Sequence, residues 1–132
     1  MNAPAVLVVD DELPILAFAE RALTQGGYRV QTATNGAQAL RMLETGDGFD
    51  VFVIDVMMPE ESGPELAEHI RRRDPGAKIL YLTGFVDRLF EHRQRLWADE
   101  AFLEKPVTVN GLLEAVSLLL YGHTQGPTHA SS

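Results

Sequence analysis

The stretch Val6-Leu7-Val8-Val9-Asp10-Asp11-Glu12, VLVVDDE, decides the fold. Four apolar residues without an intervening polar one read as a strand covered on both faces, because a half-exposed strand would alternate. The strand stops against two adjacent acids. Carboxylates repel each other, and taking either one out of water is costly. The pair therefore needs a reason to be there, and the rest of the chain supplies it.

A second unbroken run, VFVI at 51–54, also ends in an acid, Asp55. KILYLT at 78–83 ends in Thr83, and AFLE at 101–104 ends at Lys105-Pro106. YRVQTA at 28–33 alternates and suits an edge strand. Between the strands lie helical patterns. Residues 12–25 carry Leu13, Leu16, Ala17, Phe18, Ala19 and Leu23, with Pro14 in the first turn and Gly26-Gly27 at the end. Asn35 can cap a helix through about Thr45. After the loop MMPEESGP, Ser62 or Gly63 opens a helix whose Leu66, Ala67 and Ile70 face inward, stopped by DPG at 74–76. Residues 86–97 form a weaker helical pattern, since Arg93 falls on the seam of Val86, Leu89, Phe90 and Trp97. Thr108 caps a last helix with Val109, Leu112, Leu113, Val116, Leu119 and Leu120 as its apolar stripe. Strand and helix thus alternate five times, which predicts a doubly wound α/β fold: a parallel sheet with helices on both faces.

Composition bounds the function. The 132 residues make one domain, with no linker or repeat, and residues 122–132 form a polar tail expected to be disordered. There is no cysteine, hence no disulfide framework and no thiolate chemistry, which fits a reducing compartment. No signal peptide is evident, and no run approaches the roughly 20 apolar residues of a membrane span. Nineteen acids against eleven lysines and arginines give a net charge of −8, which argues against nucleic acid as a partner.

In an open parallel sheet, ligands bind beyond the carboxyl ends of the strands. That rule brings Asp10, Asp11, Asp55, Thr83 and Lys105 to one edge. Three carboxylates in one cleft call for a cation, and oxygen ligands without nearby Cys or His favour Mg2+. Mg2+ takes few carboxylates and leaves room for a phosphate oxygen. Lys105 adds a point charge suited to phosphate, and Thr83 a hydroxyl. The set predicts phosphoryl transfer, with Asp55 as the nucleophile that becomes an acyl phosphate.

VLVVDDE, VFVIDVMMPEESG, YLTG and FLEKP, each at a strand end and in this order, resemble the CheY-like receiver domain of bacterial two-component response regulators over residues 5–121. The resemblance implies a five-stranded (βα)5 flavodoxin-like sheet of order 2-1-3-4-5. It implies Asp55 as phosphoacceptor; Asp10, Asp11, Asp55 and the Met57 carbonyl as Mg2+ ligands; and Thr83 and Phe102 as switch residues. Lys105 becomes the phosphate-binding lysine, with a cis bond to Pro106. The implied partner is a sensor histidine kinase or phosphotransfer protein, and the implied location is the cytoplasm. Residues 86–121 are then the expected surface for a downstream protein or a second copy of the chain. The protein would be a signalling module rather than an enzyme, although it takes part in its own phosphorylation and dephosphorylation.

Two departures qualify the picture. Met57 and Phe85, two residues after the expected phosphoacceptor and two after the switch threonine, are bulky and apolar. Neither can hold an attacking water by hydrogen bonding, so the phosphoryl group should be lost slowly. An aspartyl-phosphate phosphohydrolase would need a second Asp at position 57 as its general acid. A receiver that is never phosphorylated would typically have lost the acids or the lysine. A receiver portion of a hybrid histidine kinase stays open beside a stand-alone regulator, towards which Met1 and the polar tail lean. Arg71-Arg72-Arg73 reads as a solvated helix end, the basic and aromatic residues of 88–97 as a docking segment, and the four histidines as surface residues.

Overall fold

The computed structural model describes residues 3–46, 48–84 and 99–122. Five strands, β1 (Ala5–Val9), β2 (Arg29–Ala33), β3 (Val51–Asp55), β4 (Lys78–Thr83) and β5 (Glu100–Glu104), pair in parallel in the order β2-β1-β3-β4-β5. Four helices are described: α1 (Leu13–Gln25), α2 (Gly36–Thr45), α3 (Gly63–Arg73) and α4 (Val109–Tyr121). The helix expected over 86–97 and the tail from 123 onward fall outside the described residues.

The burial of each strand follows its position. All residues of the central strands β1 and β3 are buried, as are all but the first of β4, whereas β2 alternates between exposed and covered residues. The unbroken and alternating runs of the sequence therefore correspond to inner and edge strands. Two cores flank the sheet. Leu7, Val9, Phe52, Ile54 and Tyr81 meet Leu66, Ala67 and Ile70 of α3 on one face. Val6, Val8, Val53, Leu80 and Leu82 meet α1 and α4 on the other. The pleat sends alternate residues of one strand into different cores, so a slip of one residue would exchange both sets.

The helix starts follow local chemistry. Asn35 accepts from the Gln38 amide, and Thr108 from the Gly111 amide. Of the two candidates for the start of α3, Ser62 is the cap, in a reciprocal box with Glu65. α1 begins at Leu13, one residue later than expected, with Glu12 as the flanking residue. Gly27, between α1 and β2, holds φ +98, a conformation that an L side chain rarely adopts. Three apolar residues depart from the expected core faces: Ala17 is exposed, and Leu13 and Val109, each the first residue of its helix, point outward.

The arginine run also departs from its reading. Arg72 is exposed, but Arg73 pairs with Glu44, and Arg71 reaches into the fold. Its guanidinium donates to Glu100 at 2.6 Å and to the Ala77 carbonyl at 3.2 Å, while the buried Tyr81 hydroxyl donates to the same Glu100 oxygen at 3.0 Å. The Glu100 side chain has no solvent exposure, so this pair joins α3 to β4 and β5 from within. Removing one partner of a buried ion pair strands the other charge. Glu100→Gln should lower the unfolding free energy by on the order of 3 kcal/mol, and Tyr81→Phe by about 1 kcal/mol, in denaturant titrations. A Glu100→Gln protein as stable as wild type would show that the network adds nothing.

Candidate functional site

The site is assembled where β1, β3 and β4 run out, together with the loop after β5. The Asp10 amide donates to the Ala33 carbonyl at 3.2 Å, carrying the β1–β2 pairing one residue past the strand. Asp10 is thereby held in the sheet and fully buried, and its Oδ1 accepts from the Glu12 amide at 2.8 Å. Asp11 points into solvent at the rim. Asp55 closes β3 and is also buried. The Val56 amide donates to the Leu82 carbonyl, and the Gly63 amide to the Val56 carbonyl at 2.8 Å. A Cβ on Gly63 would lie 2.5 Å from the Asp55 carbonyl oxygen, so the start of α3 packs against the backbone of this carboxylate in a way that only glycine permits.

Lys105 arrives from the other side. Its amide donates to the Thr83 carbonyl at 2.7 Å, and its bond to Pro106 is cis. The ammonium nitrogen lies 3.4 Å from Asp10 Oδ2, 3.4 Å from Asp55 Oδ1 and 3.7 Å from Glu12 Oε2. One carboxylate oxygen from each of Asp10, Asp11 and Asp55 lies within 4.8 Å of the others. Positions 10, 11, 55 and 105 are thus in one cluster, as expected. Thr83 is buried at the end of β4, joined to Lys105 through the backbone. The Met57 amide approaches Asp55 Oδ1 at 3.4 Å, and the Met57 side chain is 42% exposed at the mouth. Phe102 stands apart from the cluster. On β5 it lies opposite Tyr81 of β4, two residues before Thr83, and is 37% exposed. Glu12 as a partner of Lys105 was not foreseen. Its place in DDE was the only signal, and that also fits the opening of a helix.

Electrostatics show the strain of this arrangement. Burial, and then the neighbouring Asp10 charge, push the Asp55 carboxyl up to about 6, against the pull of Lys105 and the Met57 amide. Burial also raises Asp10, despite the Glu12 amide and Lys105. Burial alone would lower Lys105, but Asp10, Asp55 and Glu12 together outweigh it and raise it. The cluster therefore holds more negative charge than its one lysine can balance. Hard oxygen donors with surplus negative charge, and no sulfur or imidazole among them, fit a hard divalent cation.

Comparison with known proteins agrees with this architecture. The family model for the response regulator receiver domain matches residues 6–117. The chain belongs to that family and is a receiver domain of two-component signalling. It is 34% identical over 120 residues to the sensor kinase CckA of Brucella abortus, matching 90% of this chain and 13% of that protein. It is 30% identical to the response regulator receiver protein CpdR of the same organism, matching 87% of this chain and 95% of that one. The chain thus spans a small part of the kinase and nearly all of the small regulator. Among solved structures, the response regulator TrrA of Thermotoga maritima, in complex with Mg2+–BeF, superposes with a TM-score of 0.78 at 34% identity, covering 91% of this chain and 100% of that one. Among the described residues, no helix is long and apolar enough to cross a membrane.

The raised Asp55 carboxyl has a stability consequence in metal-free protein. The folded state keeps the Asp55 proton up to about pH 6, whereas the unfolded chain releases it near 3.8. Between those values the native state binds more protons, so its stability falls as pH rises and stays lower above the window. Asp55→Asn should remove this contribution and stabilise the metal-free protein at pH 7.5 by on the order of 2 kcal/mol. Denaturant titrations from pH 4 to 8 in chelator test it. Equal stability of the two proteins at pH 7.5 would contradict it.

Proposed function

We propose that the chain accepts a phosphoryl group on Asp55, in an Mg2+-dependent transfer from a phosphohistidine on a sensor histidine kinase or phosphotransfer protein, and that this switches a protein-binding surface. The observation that carries the reading is the buried Asp55 carboxylate flanked by Asp10, Asp11 and Lys105. An ion held by Asp10, Asp11, Asp55 and the Met57 carbonyl would supply the positive charge that lets a phosphate approach three carboxylates. An Asp55 carboxylate oxygen forms a bond to phosphorus, the bond from phosphorus to the imidazole nitrogen breaks, and the electron pair leaves with that nitrogen. Lys105 already touches Asp55 Oδ1, and its ammonium is close enough to pair with a phosphoryl oxygen there. The Thr83 hydroxyl and the Phe102 ring are the switch pair of this reading.

The TrrA complex supports the metal part, since that homologue was solved with Mg2+–BeF. The likeness to CckA and CpdR supports a place in a kinase-driven relay, as a free regulator or as part of a longer kinase. The receiver extends over residues 1–121 in this reading. A cytoplasmic location follows from the partner class. Residues 86–121 carry the output surface, of which 86–98 lie outside the described residues. The −8 charge argues for a protein target over nucleic acid.

Intact-mass measurement after incubation with acetyl phosphate tests the reading. The expected result is one phosphoryl addition that requires both Mg2+ and Asp55. Addition to Asp55→Asn would overturn it. The phosphorylated protein should then lose the group slowly, and Met57→Asn should lose it several-fold faster. Equal decay would show that the exposed methionine does not shield the acyl phosphate.

A further inference from the structure

The buried cluster does not account for every charge on Lys105. Two of its carboxylate neighbours, Asp10 and Asp55, sit inside the cleft. The third, Glu12, does not: its side chain is 59% exposed, yet Oε2 lies 3.7 Å from the lysine nitrogen. Glu12 flanks the first turn of α1, where a short Ser, Thr, Asp or Asn would cap the helix. It makes no side-chain cap bond. Its backbone is held instead by Asp10 Oδ1, at 2.8 Å. With the backbone fixed on a buried residue, the longer glutamate side chain reaches to Lys105 rather than back to its own helix. A fourth carboxylate thus stands at the mouth of a cleft already rich in negative charge, on the one cation that the described residues place there.

From this geometry we infer that Glu12 is a positioning residue for Lys105 and a charge filter on the phosphodonor. It occupies the lysine from the solvent side, and an incoming anionic donor must displace it. The inference rests on Asp55 as the phosphoacceptor. A dianionic donor meets more repulsion from Glu12 than a monoanionic one. Across roughly 6 Å of solvent-like medium, each charge on the donor meets repulsion from Glu12 equivalent to about threefold in rate. The effect must shrink at high salt, since the screening length drops to about 4 Å at 0.5 M. A purely structural role for Glu12 at the start of α1 would alter both donors equally and would not respond to salt in this way.

The test compares wild type and Glu12→Gln with acetyl phosphate, a dianion, and phosphoramidate, largely a monoanion, at pH 7 with Mg2+. Rates of phosphoryl addition are read by intact mass at low salt and in 0.5 M salt. Glu12→Gln is expected to raise the ratio of the acetyl phosphate rate to the phosphoramidate rate about threefold at low salt and to lose that gain in high salt. An unchanged ratio between the donors overturns the inference while leaving Asp55 as the acceptor. A wild-type protein that takes a phosphoryl group from neither donor overturns the reading of Asp55 and this inference with it.

Discussion

The structure depends on carboxylates buried close together with one lysine to balance them. Asp10 and Asp55 are buried side by side at strand ends, with Asp11 at the rim and a single ammonium between the buried pair. Like charges at this separation raise each other's affinity for protons, and burial adds to it. Burial raises both carboxyls despite the lysine beside them. The fold maintains an electrostatic conflict at this edge of the sheet.

The sheet makes that conflict tolerable. Unbroken apolar strands seat each acid at the end of a segment paired on both sides, and both acids are buried there. The helices anchor the same points from outside. Gly63 brings α3 against the Asp55 carbonyl, and the Glu12 amide ties α1 to Asp10. Lys105 is delivered by a backbone bond to Thr83, so the cation and the end of β4 are positioned together. The charged network of Arg71, Glu100 and Tyr81 braces β4 and β5 at their opposite ends.

Much of this was legible in the sequence because it is written in period and position. Unbroken against alternating runs separated inner from edge strands, and the acids at strand ends marked the ligand edge. The strand order was available only through resemblance, since periodicity says nothing about which strands are neighbours. What stayed hidden involved side chains reaching between elements. Arg71 looked like one of three solvated cations, because its partner Glu100 lies 29 positions away and reads as a polar residue before a strand. Val109 and Leu13 fitted the apolar stripes of their helices, but a helix's first residue can project beyond the sheet it covers. Glu12 fitted a helix start so well that its reach to Lys105 gave no separate signal.

The central claim is that the buried carboxylates form a cation site which must shed a proton to be filled. Calorimetric titration of Mg2+ into the metal-free protein at pH 6, in two buffers of different ionisation enthalpy, tests it most directly. The account predicts one Mg2+ per chain, with a fraction of a proton released on binding at pH 6 and almost none at pH 8, because Asp55 is half-protonated near 6. Binding without proton release at pH 6, or no binding at either pH, would contradict it.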